Sequence, residues 1–275
     1  MDQHTVREVK SPAFPEEIAH WPAGHAWLAG GTWLMSKPQL GVDTLVDIHG
    51  FGWPDLTASD DGIDIAATCP ITTLANYVGP PEWHAAPLLK ACAHSLLMSF
   101  KIANVATVGG NICTSLPAGA MISLTVALEA TYTLWPRSGS PRTIAARDFV
   151  TGNHANVLEP GELLRSIHIP ASALAKRFAI RRASLTKLGR SAALLVGTMG
   201  EDGALTLTIT GSTPTPVQLD VLHQSPDELR AAIDAAIPPN GYFDDVNGTP
   251  SYKRHLTYHF AEEIRAELAA TGGEA

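Results

Sequence analysis

Two short glycine-containing segments are the parts of this sequence best suited to hold a ligand. The first covers residues 28–34 (LAGGTWL), and the second covers residues 107–112 (TVGGNI). Paired glycines allow the backbone to approach a ligand closely and to adopt positive φ angles. Successive backbone N–H groups in such a turn form a concavity that binds anions. If the two segments converge in the fold, they could hold a diphosphate from both sides.

The side chains near these loops add hydrogen-bond donors, but neither loop is a complete nucleotide motif. Thr32, Asn111 and Ser115 can donate to a ligand. Neither loop contains Gly-x-Gly-x-x-Gly or the Gly-Lys-Ser/Thr of a phosphate-binding ATPase loop. Each loop taken alone also fits an ordinary tight turn. The residues therefore predict two candidate phosphate-binding loops, with the turn interpretation left open.

The segments around the loops alternate between strand-like and helix-like patterns, which indicates α/β architecture. Residues 107–112 are interpreted as a strand that enters a loop. Other strands are predicted at residues 27–29, 45–48, 62–67 and 131–135. A helix is predicted at residues 87–99 from apolar residues spaced by three and four. Residues 121–130 are apolar enough to predict a buried helix.

The pattern changes after residue 170, and the remainder predicts a separate α+β domain. Residues 193–200 and 204–210 predict two antiparallel strands joined by a turn. Helices are predicted at residues 227–236 and 252–269. The second helix places Leu256, His259, Phe260, Ile264 and Leu268 on one face.

Composition disfavours several classes of protein. The 275-residue chain has a net charge of −8, which argues against binding nucleic acid phosphates. No apolar run approaches the roughly 18 residues of a membrane helix, and no secretory signal precedes the first strand. The three cysteines are scattered and form no Cys-x-x-Cys pair, so we expect no metal or cluster site in this chain. These features predict a cytoplasmic protein.

At its glycine loops the sequence resembles a known family, the FAD-binding medium subunits of molybdopterin-containing dehydrogenases of the xanthine and carbon monoxide dehydrogenase type. Residues 29–34 resemble the family's first flavin loop, and residues 107–112 resemble its second. Residues 158–164 resemble the segment that closes the flavin domain, and residues 251–254 resemble a helix of the C-terminal domain. The similarity follows the order of the chain and covers nearly all of it.

The resemblance implies an α+β fold built from α/β subdomains. This is the vanillyl-alcohol-oxidase-type FAD-binding fold, followed by a small C-terminal domain of a sheet and helices. The FAD domain is expected at residues 1–172, with subdomains at about 1–55 and 56–172, and the C-terminal domain at residues 173–275. The FAD-site residues implied by the resemblance are Leu28, Ala29, Gly30, Gly31, Thr32, Trp33, Thr107, Gly109, Gly110, Asn111, Ser115, Ala120, Leu163 and Leu164.

The resemblance also implies the function of an electron-transfer subunit in an oxidoreductase. FAD in this chain would receive electrons from 2Fe-2S clusters in a small subunit. A large molybdopterin subunit would oxidise the substrate, and the whole would form a dimer of heterotrimers. The terminal acceptor stays open among NAD⁺, oxygen, a quinone or another carrier. No residue of this chain is expected to act as a catalytic acid or base, since the flavin supplies the redox chemistry.

The sequence departs from the family pattern at side chains that contact the flavin. Ala103, Ala120 and Ala179 stand where the family has arginine, an acidic residue and lysine, and Trp33 stands where aspartate is common. We expect FAD to bind more weakly here, because each lost hydrogen bond costs about 0.5–1.5 kcal/mol. Two alternatives stay open: a structural subunit that has lost FAD, and a stand-alone flavin oxidase, which would need a general base near the ring.

Overall fold

The computed structural model describes residues 3–18, 20–221 and 225–270. Near the N-terminus, three parallel strands form a small sheet in the order β1-β3-β2. These strands are β1 (Glu8–Lys10), β2 (His25–Leu28) and β3 (Thr44–Asp47). Leu45 and Val46 of the central strand are buried. The first glycine loop follows β2 directly, so this sheet fixes where that loop begins.

A second, antiparallel sheet has the strand order β4-β5-β10-β6-β7. Its strands are β4 (Leu56–Ser59), β5 (Gly62–Ala66), β6 (Thr131–Trp135), β7 (Arg142–Ala145) and β10 (Leu163–Pro170). The strands predicted at residues 62–67 and 131–135 are therefore confirmed. A short ladder of β8 (Val150–Gly152) and β9 (Ala155–Asn156) lies between β7 and β10 in the chain.

The N-terminal part has six helices, and all but the third of them pack with this sheet around one hydrophobic core. They are α1 (Ile71–Ala75), α2 (Pro87–His94), α3 (Phe100–Ala103), α4 (Val108–Thr114), α5 (Ala120–Ala127) and α6 (Ala171–Leu174). The helix predicted over residues 87–99 ends earlier, at His94. Beyond it Leu96 and Met98 still pack against the core, whereas Leu97 is 55% exposed.

The segment predicted as a strand entering a loop, residues 107–112, is instead the start of helix α4. Thr107 has an extended backbone, with φ −105° and ψ 155°, and its Oγ1 accepts a hydrogen bond from the N–H of Gly110 (3.0 Å). Threonine is a favourable N-cap residue, and this bond satisfies an otherwise free donor of the first turn. The cap outweighs the low helix propensity of the two glycines, so Gly109 and Gly110 lie in the first helical turn.

The C-terminal part contains a four-stranded antiparallel sheet with sequential neighbours. Its strands are β11 (Arg177–Ser184), β12 (Ser191–Met199), β13 (Leu205–Thr210) and β14 (Val217–Val221), followed by α7 (Pro226–Ala236) and α8 (Pro250–Ala270). The predicted hairpin of β12 and β13 and the two predicted helices are confirmed. Leu256, Ile264 and Leu268 of α8 are buried against the sheet, whereas His259, predicted on the same face, is exposed.

Helix α5 joins the two parts of the molecule. All of its residues are buried. The Ser123 and Thr210 hydroxyls share a hydrogen bond of 2.6 Å, and the Gln218 side-chain amide donates to the Val126 carbonyl (2.9 Å). An apolar helix buried on every side needs partners on every side. The C-terminal sheet is one of these packing partners. Its contact with α5 fixes the position of the C-terminal strands and turns relative to the glycine loops.

A buried ion pair stabilises the connection between α7 and α8. The Lys253 side chain is fully buried, and its Nζ donates to Asp245 Oδ1 (2.8 Å). Burial alone would raise the pKa of Asp245, but hydrogen bonds from Lys253 and Asn247 outweigh burial and hold that pKa below its usual range. The carboxylate is thus the counter-ion that allows the ammonium group to stay inside.

Asp245→Asn should lower the free energy of unfolding by about 3–5 kcal/mol at pH 7, because it leaves a buried ammonium group without its counter-ion. The folded-state pKa of Asp245 is depressed, so its stabilisation is present above the unfolded pKa and is lost as pH falls through the folded pKa. Urea unfolding at pH 7 and pH 3 measures both effects. The control is Asp234→Asn, whose pair with Arg254 is exposed. Equal losses for the two variants at pH 7 would contradict this account.

Candidate functional site

The two glycine segments face each other across a cleft of about 630 Å³. This volume lies within the range of about 300–1,000 Å³ that is usual for ligand pockets. The walls come from the loop after β2, the first turns of α4, the segment between α2 and α3, and the start of β10. Most of the predicted site residues line it, namely Ala29, Gly30, Gly31, Thr32, Trp33, Thr107, Gly109, Gly110, Asn111, Leu163 and Leu164.

Three predicted site residues support the wall without lining it. The Leu28 side chain lies beneath Gly31, where an ideal Cβ would come within 3.0 Å of Leu28 Cδ1. Ser115 is fully buried, and its hydroxyl donates to the Ile112 carbonyl (3.1 Å). Ala120 is fully buried at the start of α5. These residues shape the loops from behind.

The first glycine loop offers free backbone donors to the cleft. Gly31 adopts a φ of +66°, which turns the chain sharply after Gly30. Across the described part of the chain, no protein acceptor receives the N–H groups of Gly30, Gly31, Thr32 or Trp33. These four residues are half-buried, so their free donors are open to a ligand in the cleft. A turn of this kind suits an anion.

The backbone amides of Gly109 and Gly110 in the second loop were expected to face a ligand, but they are bonded within the protein. The N–H of Gly109 donates to the Ala67 carbonyl (3.0 Å), and the N–H of Gly110 donates to Thr107 Oγ1. The Asn111 side-chain carbonyl accepts a hydrogen bond of 3.2 Å from the first turn of α5. The bonds of Gly109 and Gly110 occupy two of the donors that sequence reasoning assigned to the diphosphate. The second loop therefore contributes mainly the shape of the wall.

Close backbone contacts explain why both loops need glycine. An ideal Cβ at Gly30 would lie 1.8 Å from the carbonyl oxygen of Val105, just before the second loop. An ideal Cβ at Gly109 would lie 2.7 Å from the Cα of Ala67. Any larger residue would push main chains apart, since neither obstacle is a side chain that can rotate away. Glycine thus brings the two sides of the cleft together.

A buried carboxylate holds the wall opposite the first loop. Glu162 is almost fully buried, and its oxygens accept two hydrogen bonds of 2.7 Å from Arg142 and one of 3.1 Å from the Glu159 N–H. Burial would raise the pKa of Glu162, but these bonds outweigh burial and leave that pKa below its usual range. The Glu162 carbonyl also accepts from Trp27 Nε1 (3.2 Å). Sequence reasoning named this segment but missed the ion pair, because Arg142 lies on another strand.

Most of the residues that line the cleft come from stretches of the chain that contain no acidic residue. Residues 18–42, 83–128 and 163–200 have neither aspartate nor glutamate, although the net charge of the chain is −8. Among the described lining residues the one carboxylate is Glu162, which Arg142 neutralises. The cleft is therefore suited to an anionic ligand. This distribution of acids is visible in the sequence and is the signal that could have located the cleft.

Trp33 is surrounded by polar and cationic groups at the edge of the cleft. Its ring lies 5.3 Å from the His154 ring, and the Lys37 ammonium and Arg190 guanidinium lie 5.2 and 5.5 Å from its centre. Such cation–π contacts are worth about 0.5–1 kcal/mol at exposed sites. Arg190 comes from the turn between β11 and β12, so the C-terminal part contributes a cation to the cleft.

Two arginines of β11 and one cysteine of α4 have structural roles. Arg181 pairs with Glu263 and Glu267 on α8, and Arg182 donates to Ser191 Oγ (2.9 Å). The Cys113 side chain lines the cleft, but desolvation raises the pKa of its thiol to about 12. A neutral thiol is a poor nucleophile, so the geometry offers no covalent or redox role for it.

Comparison with known proteins decides the family. A model of the FAD-binding domain in molybdopterin dehydrogenase matches residues 19–172. The chain belongs to this family. This match confirms the FAD cofactor that the resemblance at the glycine loops implied.

Relatives and solved structures agree with this assignment. The chain is 33% identical to the carbon monoxide dehydrogenase medium chain of Afipia carboxidovorans over 66% of its own length and 64% of that protein. It is 32% identical to xanthine dehydrogenase of Oryza sativa subsp. japonica over 49% of its own length, but it spans only 10% of that protein. The chain thus covers less than two thirds of the length of these two relatives.

The fold of the whole described chain is also shared with solved structures. A chain of the carbon monoxide dehydrogenase structure from Hydrogenophaga pseudoflava superposes with a TM-score of 0.84, at 22% identity, over 96% of this chain and 98% of that one. A chain of quinoline 2-oxidoreductase from Pseudomonas putida 86 gives 0.81 at 17% identity, over 99% of both chains. The predicted α+β fold of the vanillyl-alcohol-oxidase type, with its C-terminal domain, is confirmed. None of the described helices is long and apolar enough to cross a membrane.

Gly30→Ala should abolish flavin retention and lower the melting temperature, because the added methyl group collides with the Val105 backbone. The control is Gly41→Ala, since an ideal Cβ at Gly41 meets nothing within 4 Å. Flavin absorbance after gel filtration and thermal melting of both variants measure the effect. A Gly30→Ala protein that retains flavin as well as Gly41→Ala would refute the role assigned to this contact.

Arg142→Met should destabilise the fold by about 3–5 kcal/mol at pH 7, because it leaves the buried Glu162 carboxylate unpaired. The folded-state pKa of Glu162 is depressed in the parent, so the stabilisation from this pair exists above the unfolded pKa and is lost as pH falls through the folded pKa. The difference in unfolding free energy between Arg142→Met and the parent should therefore shrink between pH 7 and pH 3. A difference that does not change with pH would contradict this expectation. Arg147→Met, which removes an exposed arginine, serves as the control.

Proposed function

We propose that this chain is the FAD-binding electron-transfer subunit of a molybdenum hydroxylase, an oxidoreductase of several subunits. One observation carries the proposal: a cleft of FAD-binding size combines a row of free backbone donors with the absence of any unpaired carboxylate among its described lining residues. In a chain of net charge −8, such a cleft suits a diphosphate. Membership of the FAD-binding family gives that ligand its identity.

The residues on the cleft walls fit FAD. The free amides of residues 30–33 would hold the diphosphate, and the Asn111 side chain, whose carbonyl is already used within the protein, would present its amide to the ligand. Leu158, Leu163 and Leu164 supply apolar surface for an aromatic ring. FAD, when bound, accepts and releases electrons, and the protein supplies position and electrostatics. Leu28, Ser115 and Ala120 would act by supporting these groups.

The one carboxylate among the described lining residues is paired with Arg142, which favours electron transfer over a stand-alone flavin oxidase. Glu162 is held as a carboxylate by Arg142 and shielded from solvent, so it is poorly placed to take a proton from a substrate. A flavin oxidase acting directly on an alcohol or amine needs such a group near the ring. The chain itself would take electrons from one protein and pass them to an acceptor, without acid–base chemistry of its own.

The relatives support a set of partner subunits. Carbon monoxide dehydrogenase is the source of one matched medium chain, and the matched solved structure is described as lacking the Mo-pyranopterin moiety of its molybdenum cofactor. We place the molybdopterin in a large partner subunit and the 2Fe-2S clusters in a small one, in a dimer of heterotrimers. Residues 1–172 would bind FAD, and residues 173–275 would form the C-terminal domain. The cysteines among the described residues are unpaired, which supports a cytoplasmic location.

One observation favours a second candidate, a subunit that assembles without FAD. Ala120 stands where the family has an acidic residue that contacts the flavin, and it is fully buried. The amides of Gly109 and Gly110 are also committed within the protein. With fewer contacts the cofactor would bind weakly, and an empty chain could still serve as a structural component.

An absorbance spectrum of the purified chain tests the proposal, recorded for the chain alone and for the chain purified together with its partner subunits. We expect flavin bands at about 370 and 450 nm, with FAD identified after release by heat. The bands should be bleached when the substrate of the assembled enzyme is added without an acceptor. A folded protein that shows no flavin in either preparation would exclude electron transfer and support the structural subunit.

A further inference from the structure

Two histidines lie one helical turn apart on the exposed side of helix α8. His255 and His259 are both exposed, whereas Leu256 and Ile264 of the same helix are buried in the C-terminal core. The two imidazole rings therefore lie outside the core. Their centres are 6.2 Å apart, and their planes lie within 4° of parallel. Side chains at positions i and i+4 of a helix are neighbours, and two histidines at this spacing can bind the same metal ion.

A carboxylate next to the second histidine orients its ring. Glu263 Oε1 lies 3.3 Å from His259 Nε2, and Arg181 holds this carboxylate in place because its Nε donates to Glu263 Oε2 (2.7 Å). Histidines that bind metals almost always direct their other ring nitrogen to a carboxylate, a carbonyl or water, which fixes the tautomer and the ring orientation. Glu263 would in this way keep the proton of His259 on Nε2 and leave Nδ1 for a metal.

The chemistry of the two ligands determines which ions would bind. Imidazole nitrogen suits Zn²⁺, Ni²⁺ and Cu²⁺, whereas Mg²⁺ and Ca²⁺ prefer oxygen ligands. Across the described part of the chain, no group of three or more histidine, cysteine, aspartate or glutamate residues could hold a metal. A site on α8 would therefore use two protein nitrogens, with water completing the coordination. No metal site was expected from the sequence; the structure adds the exposed placement of both rings and the carboxylate beside one of them.

The charges around the histidine pair favour a bound cation. Arg254, which precedes the pair in the chain, is paired with Asp234, and Arg181 is shared between Glu263 and Glu267. The carboxylates offset these two arginine charges, so a divalent ion at the pair would meet little repulsion from them. The net charge of −8 on the whole chain also favours the approach of a cation.

We propose that His255 and His259 form a surface site for a divalent transition metal ion of the zinc, nickel and copper class, and that Glu263 orients His259 in this site. The bound ion would join two successive turns of α8. Because α8 packs against β11 and β12, the ion would stabilise the C-terminal part of the molecule. Neither histidine lines the cleft, so the metal site goes beyond the proposed flavin function and does not depend on it.

Isothermal titration calorimetry with ZnCl₂ on the full chain, prepared without a histidine tag, tests the site. We expect equimolar binding of Zn²⁺ and no binding of Mg²⁺. His255→Gln and His259→Gln should each weaken Zn²⁺ binding by at least about tenfold, and Glu263→Gln by about tenfold, the lower end of what outer-shell partners contribute. Zn²⁺ should also raise the melting temperature of the unmodified chain, because an ion that binds only the folded state stabilises it.

Two controls separate this site from single exposed histidines. His84→Gln removes an exposed histidine elsewhere in the chain and should leave Zn²⁺ binding unchanged. His259→Gln combined with Glu262→His keeps the number of histidines but places two of them about 10 Å apart along the helix axis. This variant should bind Zn²⁺ as weakly as His259→Gln alone. An unmodified chain that does not bind Zn²⁺ would overturn the proposal. So would pair variants that bind Zn²⁺ like His84→Gln, because the titrated metal would then be an adventitious ion only.

Discussion

The close backbone contact between Gly30 and Val105 is the constraint on which the cleft depends. A ligand as long as a dinucleotide contacts two walls of the cleft, so the main chains of these walls must stand at a fixed separation. Flexible side chains hold such a separation less closely than direct contact between main chains. Here the loop after β2 rests directly on the chain that leads into α4, with no Cβ between them. A similar close backbone contact occurs between Gly109 and Ala67, directly after β5. Because these contacts set the walls, the amides of residues 30–33 can stay free for a ligand.

The second half of the molecule completes the cleft through helix α5. This helix is buried on every side and lies between helices α2 and α4 of the N-terminal part and strands β12 and β13 of the C-terminal sheet. Its burial fixes both sheets relative to each other, so the turn before β12 reaches the cleft mouth and brings Arg190 to Trp33. A cation from one part of the chain and free amides from another thus face the same opening. Acidic residues are kept away from it by their distribution in the sequence.

Two of the positions where the sequence is expected to depart from the family pattern, Ala120 and Ala179, lie in the packed interior. Ala120 and Ala179 are both buried, so a charged side chain at either position would need a partner that its surroundings would have to supply. The polar groups that face the cleft include the backbone of the first loop, the Asn111 amide and Arg190. Backbone donors need no particular side chain, so a cleft that relies on them tolerates changes in the side chains around it.

Local patterns in the sequence determined most of the secondary structure, the two-part organisation and the importance of both glycine segments, because alternation, helical spacing and glycine pairs act over a few residues. They failed at residues 107–112, where a threonine cap turns an apparent strand into α4. They also assigned the diphosphate equally to both loops, although only the tertiary structure shows that the amides of Gly109 and Gly110 are already bonded. The pair of Glu162 with Arg142 and the meeting of Arg190 with Trp33 were likewise decided in three dimensions. Each joins residues far apart in the chain, and no local pattern encodes which distant strands will become neighbours.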